Sequence, residues 1–268
     1  MDVIKVGFIG SGNMGSALAA AAAGAENVRV YAADKDAEKA KTLAERTGGE
    51  MAENEYIAAN CDYIFLGVKP QVMGDMLAEI GETLRARKSR FVLVTMAAGL
   101  KIEKIKAMSG TEAPVIRIMP NTPASIGCGM ILYSIGEGVT GAEEEVFCRI
   151  LSKAGELSLL PEKLIDAGCA VSGCGPAFVY MFIDAMARAG AEAGLEEEQA
   201  LRLAAVTTMG AAEMILKTHQ DPVKLRTDVC SPGGSTIEGV KVLQEKDIDK
   251  VVGEAVAASF KRTVELGK

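Results

Sequence analysis

The stretch that decides the fold of the first half is "FIGSGNMG", residues 8–15, in which three glycines follow a short apolar run. The preceding "KVGFI" (5–9) is typical of a buried strand, and the Ala-rich stretch behind the glycines favours helix. In a dinucleotide-binding turn the first glycine permits the tight turn, the second lets the backbone approach a pyrophosphate, and the third lets the helix pack closely on the strand. Phosphates bind at such a helix N-terminus because its free N–H groups and dipole favour negative charge. The predicted dinucleotide loop consists of Gly10, Ser11, Gly12, Asn13, Met14 and Gly15.

An acidic residue ends the second predicted strand, "NVRVYAA" (27–33). Asp34 lies at the distance from the glycine loop where a carboxylate accepts hydrogen bonds from the adenosine ribose hydroxyls. This position favours NADH, because a 2′-phosphate would be repelled there, although the neighbouring Lys35 would offset part of the repulsion. Asp34 is equally suited to a cap or turn before the following helix, and both interpretations can hold. The coenzyme preference stays open.

Short β-branched runs alternate with helical stretches along the first half of the chain. The predicted strands are residues 5–9, 27–33, 62–68, 90–96 and 114–119, and the predicted helices between them are 14–24, 36–47, 71–84 and 101–108. Two further runs, 129–134 and 156–161, extend the sheet and flank a helix with a Thr140…Glu143 capping-box signature. Alternation of this kind implies crossover connections and a parallel sheet covered on both faces. We predict an α/β fold in which residues 1–161 form a Rossmann-type doubly wound sheet.

After Pro161 the pattern contains no convincing strand. Helices are predicted at 176–194, 196–218, 236–245 and 247–266. The first of them is apolar around most of its circumference, so it must be covered on nearly all sides. Barely a hundred residues have trouble covering such a helix alone. We therefore predict that residues 162–268 form an all-helical dimerisation domain whose first helix is covered by another subunit; the alternative is a helix buried within its own chain.

The composition excludes several classes of protein. The formal net charge is −7 and no basic run occurs, so a nucleic-acid partner is not expected. The six cysteines form no CxxC pair and the single histidine adds no zinc pattern, so we predict no metal and expect small buried hydrophobes in a reducing compartment. The most apolar window of the second half, 176–194, contains Asp184 and Arg188 and is expected to fall short of a membrane span. We expect a cytoplasmic protein that does not bind membranes.

The second half offers no strong acid or base for catalysis. His219 lies beside a predicted helix end, where a surface or capping role is favoured. The β-hydroxyacid dehydrogenases share this architecture and use a lysine on the first long C-terminal helix, but no lysine occurs between Lys163 and Lys217. The substrate must then supply its own electrophilicity, as a protonated imine does. Such a reaction needs orientation and charge placement more than proton transfer.

A glycine-rich stretch, "CSPGGSTIEG" (230–239), interrupts the helical half. Gly233 and Gly234 are expected to expose main-chain N–H groups, and Ser235…Glu238 has the spacing of a capping box that starts a helix near Thr236. Glycine-rich backbone that leads into a helix N-terminus is a natural receptor for a carboxylate. A simple helix–helix turn explains the same spacing equally well.

The order of these motifs resembles that of pyrroline-5-carboxylate reductase, essentially from end to end. The matching stretches are "FIGSGNMG", "FLGVKP" (65–70), "AAG" (97–99), "RIMPNTP" (117–123), "VSGCGPAFVYMFIDAMA" (171–187) and "CSPGGSTIEGV" (230–240). The resemblance implies reduction of the cyclic imine L-1-pyrroline-5-carboxylate to L-proline with NADPH or NADH, the last step of proline biosynthesis. The alternative is an NAD(P)H-dependent reductase of another cyclic imino acid on the same scaffold. Cys174 stands where serine is common in the family, and its thiol would donate a weaker hydrogen bond.

The resemblance also implies roles for individual residues. Thr236 would face the ring nitrogen as the catalytic residue, and the substrate residues would be Ser231, Gly233, Gly234, Ser235, Thr236 and Asn121. The coenzyme would be bordered by Val68, Lys69, Pro70, Ala97, Ala98, Met119, Pro120 and Asn121, with Thr122 nearby and Asn54 at the adenosine end. Asn54 would favour NADPH as the coenzyme, whereas Asp34 would favour NADH. The family forms interlocked dimers in which the "SGCGPA" segment of one subunit shapes the other's pocket, and many members assemble into decamers.

Overall fold

The computed structural model describes residues 3–267, and its first half is built on one eight-stranded sheet. The strands are β1 (Ile4–Ile9), β2 (Val28–Ala33), β3 (Glu50–Met51), β4 (Tyr63–Leu66), β5 (Val92–Thr95), β6 (Val115–Met119), β7 (Gly129–Ile135) and β8 (Gly155–Leu159). They are arranged in the order β3-β2-β1-β4-β5-β6-β7-β8. Neighbouring strands are parallel except for the antiparallel pair β6 and β7.

Helices cover both faces of this sheet. They are α1 (Asn13–Ala23), α2 (Ala37–Thr47), α3 (Asn54–Asn60), α4 (Pro70–Ala86), α5 (Ile102–Ser109), α6 (Gly141–Leu151) and α7 (Glu162–Gly168). Side chains alternate along β1, so Phe8 packs with α1, α2 and α6 on one face, whereas Ile9 packs with α3, α4 and α5 on the other. The doubly wound sheet predicted from the sequence is therefore confirmed.

Two details of the sheet differ from the prediction. The two-residue strand β3 and the following α3 were not expected, since both residues of β3 are exposed and carry no apolar pattern. The run 129–134 does extend the sheet, but as an antiparallel strand. Its connection to β6 is only a 3₁₀ turn, Thr122–Ile126, and a parallel neighbour would require a crossover of a dozen or more residues.

The predicted capping box at the start of α6 is present. Thr140 Oγ1 accepts a hydrogen bond from the Glu143 N–H at 3.3 Å, and a Glu143 carboxylate oxygen accepts from the Thr140 N–H at 2.8 Å. Arg90 adds two hydrogen bonds to the same carboxylate, at 2.7 and 3.0 Å. The bond from Arg90 is the main reason that the pKa of Glu143 lies below its usual value.

The second half is helical throughout. Its helices are α8 (Gly175–Glu192), α9 (Glu197–Thr218), α10 (Pro222–Asp228), α11 (Ser235–Glu245) and α12 (Ile248–Leu266). A π-helical turn, Cys169–Gly173, joins α7 to α8. The chain divides into two compact units, one of residues 3–174 with 259–267 and one of residues 175–258. Because α7 and the π-helical turn belong to the first unit here, the predicted domain boundary after residue 161 stays a prediction.

Within the second unit, α8 leaves most of its apolar surface uncovered. It packs on α9 through a small cluster around Ala187, Ala200 and Ala204, and Ala187 is the one buried residue of α8. Tyr180 is 59% exposed and Met181 is 73% exposed. Residues 3–267 therefore do not bury α8. The alternative prediction, that this helix is buried within its own subunit, is wrong.

The helical stretch Glu162–Glu192 is long and apolar enough to cross a membrane, with 31 residues and a mean hydropathy of 1.4 in its most apolar window. The expectation that this region falls short of a membrane span is wrong by these criteria, because α7 and the π-helical turn lengthen the helix beyond the predicted window. Length and composition do not distinguish a helix that faces lipid from one that is covered by a second protein chain.

The cysteines only partly follow the expectation of buried hydrophobes. Cys61 and Cys169 are buried, but Cys128 is exposed and the other three are half-buried. Burial raises the pKa of the Cys61 thiol to about 12. That shift keeps Cys61 protonated and unreactive at neutral pH.

Candidate active site

The carboxyl ends of β1 to β6 meet at one edge of the sheet, because these six strands are parallel. The predicted coenzyme residues follow those ends: Gly10 after β1, Asp34 after β2, Asn54 after β3, Val68 after β4, Ala97 after β5 and Pro120 after β6. The strand order reverses between β1 and β4. Dinucleotides bind at such a switch point, outside the carboxyl ends of the strands.

The first glycine of the loop lies on the switch point. Gly10 has a φ of 105°, in the region that residues with a side chain rarely adopt. A Cβ atom at Gly10 would lie 2.7 Å from the carbonyl carbon of Gly67, which directly follows β4. Gly67 also donates its N–H to the Ile9 carbonyl at 2.7 Å. Sequence reasoning missed Gly67 as a site residue, although a glycine directly after the apolar run "YIFL" was a usable signal.

The other two glycines of the loop have different roles. A Cβ at Gly15 would overlap the Gly10 carbonyl oxygen, so this glycine allows α1 to pack closely on the end of β1. Gly12 is the N-cap of α1, and a Cβ there would meet nothing within 4 Å. The first amides of α1 have no intrahelical acceptor. Gly12 therefore leaves open space in front of N–H groups that suit a pyrophosphate.

Asp34 connects the end of β2 to the glycine loop. One carboxylate oxygen accepts from the Ser11 N–H at 2.7 Å, and the other accepts from the Asp36 N–H at 2.9 Å. Asp36, not Asp34, is the N-cap of α2, so Asp34 acts as a turn residue. Each oxygen keeps a further lone pair that can accept from a ribose hydroxyl. Lys35 beside it is exposed.

The remaining predicted residues of this edge lie in the turns after β3 and β4. Asn54 is the first residue of α3, and its side chain donates to Glu79 Oε1 at 3.1 Å. Val68 packs against the core, Lys69 is the N-cap of α4, and Pro70 occupies the first helical position, where its missing N–H costs nothing. The structure therefore places a carboxylate beside Asn54, the residue that was expected to favour NADPH.

Asn121 follows β6 and is 8% exposed. Its Oδ1 accepts from the Met130 N–H at 2.9 Å, and its Nδ2 donates to the Ser172 carbonyl at 2.9 Å. Both ends of this amide are thus bonded to main chain. Nearby, Met119 and Ala98 share an apolar cluster with Cys169 from the π-helical turn.

A buried arginine in β6 was missed by sequence reasoning. Arg117 is 1% exposed, and its Nη2 lies 2.5 Å from Asp166 Oδ1 on α7. Its Nη1 lies 3.6 Å from Glu162 Oε1, which also accepts from the Ile102 N–H at 2.7 Å. The arrangement attaches α7 to the sheet. The signal was a charge inside the otherwise apolar run "PVIRIM".

The "SPGG" segment of the second unit forms a β-turn. Gly234 donates its N–H to the Ser231 carbonyl at 3.0 Å, Pro232 takes the first central position, and Gly233 has a φ of 70°. Proline followed by a residue with positive φ is the signature of a type II turn. The expectation that Gly234 exposes its N–H is wrong, because the turn uses that group.

The predicted capping box at Ser235 is also wrong. Gly234 is the extended N-cap and Ser235 is already helical, whereas a capping box needs its serine at the N-cap. Glu238 pairs instead with Lys241 at 2.7 Å. The N–H groups of Ser235, Thr236 and Ile237 consequently have no intrahelical acceptor. They point out of the start of α11 beside the exposed Thr236, in an arrangement that suits a carboxylate.

His219 ends α9 as a C-cap residue with a φ of 55°. The capping role that the sequence favoured is confirmed. The following Asp221 accepts from the N–H groups of Val223 and Lys224 and so starts α10.

Comparison with known proteins covers the whole chain. The family model described as "Pyrroline-5-carboxylate reductase dimerisation" matches residues 162–266, and the one described as "NADP oxidoreductase coenzyme F420-dependent" matches residues 5–99. The chain is 35% identical to a pyrroline-5-carboxylate reductase of Escherichia coli strain K12 over 268 residues, which is 98% of each chain. It is also 35% identical to one of Arabidopsis thaliana over 271 residues, 100% of this chain and 97% of that one. A crystal structure of Plasmodium falciparum pyrroline carboxylate reductase with NADP bound is 33% identical, with a TM-score of 0.85 over 100% of both chains.

Proposed function

The chain belongs to the pyrroline-5-carboxylate reductase family, and we propose from this that it reduces L-1-pyrroline-5-carboxylate to L-proline with NADPH or NADH. The observation that carries the proposal is the similarity along the full chain, which includes both the dinucleotide-binding edge and the "SPGGST" turn. The enzyme is an oxidoreductase of proline biosynthesis.

The chain's own residues would hold the coenzyme along the carboxyl edge of the sheet. The first amides of α1 would bind the pyrophosphate, and Asp34 would accept hydrogen bonds from the adenosine ribose. Val68, Lys69, Pro70, Ala97 and Ala98 would border the rest of the molecule, with Met119 and Pro120 near the nicotinamide. When bound, the coenzyme supplies the hydride that the imine carbon accepts.

The turn before α11 would hold the substrate. The carboxylate would accept hydrogen bonds from N–H groups at the helix N-terminus, those of Ser235 and Thr236, and from the N–H of Gly233. Ser231 and Gly234 would shape the turn rather than donate. Thr236 Oγ1 would face the ring nitrogen, as the one catalytic side chain. This arrangement orients an imine that is already electrophilic, which explains the lack of a strong general acid.

Two observations bear on coenzyme choice and point towards NADH. Two main-chain N–H groups hold the Asp34 carboxylate in place. Its negative charge would therefore stay close to the 2′-phosphate of NADPH and repel it. Asn54 has Glu79 as its partner, which adds a second negative charge at that end of the site. Lys35 is the neighbouring cation that would favour NADPH. The relative from Plasmodium falciparum binds NADP, so both coenzymes are tested below.

The uncovered face of α8 is explained by association of subunits, because residues 162–266 match a dimerisation domain. The protein is therefore a homo-oligomer that acts on a small molecule. We further propose a dimer joined through the C-terminal helices that can assemble into a decamer, is located in the cytoplasm, and binds neither nucleic acid nor a membrane.

The test is oxidation of NADH and NADPH, compared side by side, with pyrroline-5-carboxylate as the acceptor. A panel of other cyclic imino acids and of 2-oxo acids is run with the same enzyme. We expect turnover of pyrroline-5-carboxylate, with NADH the better coenzyme. Turnover of another cyclic imino acid in its place would support the alternative substrate, and turnover of oxo acids alone would overturn imine reduction altogether.

A further inference from the structure

The π-helical turn creates a gap in the hydrogen bonding of the helix that leads into α8. In this turn the Cys174 N–H donates to the Cys169 carbonyl, five residues back, at 3.0 Å. The carbonyl of Ser172 would bond to the N–H of residue 176 in a regular α-helix, but that residue is Pro176, which has no N–H. Pro176 therefore leaves the Ser172 carbonyl without the donor that a regular α-helix would supply.

Asn121 supplies that donor. Its Nδ2 lies 2.9 Å from the Ser172 carbonyl oxygen, while its Oδ1 accepts from the Met130 N–H at 2.9 Å. An amide side chain presents one donor end and one acceptor end, and here main-chain groups take both. At 8% exposure, the side chain has little surface left for a ligand.

Two other contacts attach the same segment to the ends of the strands. Arg117, four residues before Asn121, forms an ion pair with Asp166 on α7. Cys169, in the π-helical turn, packs with Met119 and Ala98, the residues assigned above to the coenzyme. The turn and the proposed nicotinamide side are thus built against each other within one unit.

We propose that Asn121 is a positioning residue of the reductase: it replaces the missing amide of Pro176 and fixes the π-helical turn against the strand ends that border the nicotinamide. This inference rests on the proposed function for its effect on turnover. It assigns Asn121 an action through the main chain of Ser172 and Met130, in place of direct contact with substrate or coenzyme. Single π-helical turns occur frequently at functional sites.

The test is the variant Asn121→Asp, which keeps the size of the side chain and the acceptor for Met130. At neutral and alkaline pH its carboxylate faces the Ser172 carbonyl, so kcat is expected to fall about tenfold to a hundredfold, as small misplacements do. The KM values for coenzyme and imine are expected to stay close to those of the parent. As the pH falls, the protonated carboxyl can donate to Ser172, and the ratio of variant to parent kcat is expected to rise.

Two comparisons separate this effect from a general loss of packing. Asn60 also donates its Nδ2 to a helix carbonyl, that of Tyr56 at 2.9 Å, but at the end of α3. Asn60→Asp is expected to keep the parent's kcat at every pH. Pro176→Ala returns an N–H to the helix, so the loss caused by Asn121→Ala is expected to shrink at least about threefold in that background, a coupling that a double-mutant cycle isolates.

Amide hydrogen exchange tests the role of Asn121 without measuring turnover, so its result does not depend on the proposed function. Amide hydrogen exchange of residues 169–175 is expected to accelerate in Asn121→Asp at neutral pH and to stay unchanged in Asn60→Asp. Failure of the parent to reduce pyrroline-5-carboxylate would count against the function, while the exchange result would still decide the role of Asn121. Unchanged exchange, an effect confined to KM, a kcat ratio independent of pH, or full additivity in the cycle would each overturn the positioning role.

Discussion

Gly12 differs from its neighbours in the loop because nothing in the chain requires it to be glycine. Its φ is −69° and a Cβ would meet no atom within 4 Å, whereas Gly10 needs its positive φ. Serine is a preferred N-cap, so Gly12→Ser is expected to leave the melting temperature unchanged. Its side chain would occupy the space of the pyrophosphate and raise the KM for the coenzyme about tenfold, the equivalent of ~1.4 kcal/mol.

Steady-state kinetics and thermal unfolding of Gly12→Ser check this expectation. Gly10→Ala serves as the comparison, since it is expected to lower the melting temperature through backbone strain. An unchanged coenzyme KM in Gly12→Ser would remove this loop from the pyrophosphate site.

Thr236 provides the second test at the scale of single residues. Thr236→Ala is expected to lower kcat about a hundredfold, as loss of a group that orients the substrate does, with coenzyme affinity nearly unchanged. Thr227→Ala is the matched control, because the hydroxyl of this exposed threonine on α10 donates to the Val223 carbonyl within its own helix. Normal turnover in Thr236→Ala would exclude its hydroxyl from the mechanism.

At the scale of elements, the start of α6 makes stability depend on pH. Glu143 is held ionised, chiefly by Arg90 and also by Thr140, so its pKa in the folded protein lies below the usual 4.5. A depressed carboxyl pKa stabilises the fold above the unfolded-state value and loses this contribution as the pH falls through the folded value. Glu143→Gln is therefore expected to cost about 1–2 kcal/mol of unfolding free energy at neutral pH.

Urea unfolding of Glu143→Gln and the parent at several pH values measures this difference. It is expected to be full above about pH 5 and to shrink at lower pH, as the parent's own carboxyl becomes protonated. Glu145→Gln on the same helix is the control and is expected to have little effect. A difference that is constant with pH would contradict the role given to the charge.

The two predicted capping boxes show the limit of reasoning from local spacing. Thr140…Glu143 forms because Thr140 is extended and the helix begins after it. Ser235…Glu238 has the same spacing, yet the type II turn ends one residue earlier and makes Gly234 the N-cap. Spacing gives the candidate, and backbone geometry decides which residue occupies the cap.

Helices α8 and α9 leave apolar surface exposed, and this surface bears on how whole subunits associate. Met181 is 73% exposed on α8, and the region matches a dimerisation domain. Met181→Glu is expected to shift the protein towards monomer at equal concentration, because a charge in an interface core is costly to desolvate. Light scattering after size-exclusion chromatography measures the mass. Ile126→Glu, at a residue 77% exposed in the first unit, is the control and should leave the mass unchanged.

The sequence by itself determined the doubly wound sheet, the glycine loop and the helical second half, because hydrophobic period, glycine spacing and caps are properties of neighbouring residues. Contacts between distant residues were decided only by the tertiary structure. The main-chain approach of Gly67 to Gly10, the ion pair of Arg117 with Asp166 and the bond from Asn121 to Ser172 each join segments about fifty residues apart. Local propensity does not predict such contacts, because they depend on how the strands and α7 pack together in the folded chain. The family resemblance implied that Asn121 contacts a ligand, whereas the folded chain shows its amide bonded at both ends to main chain.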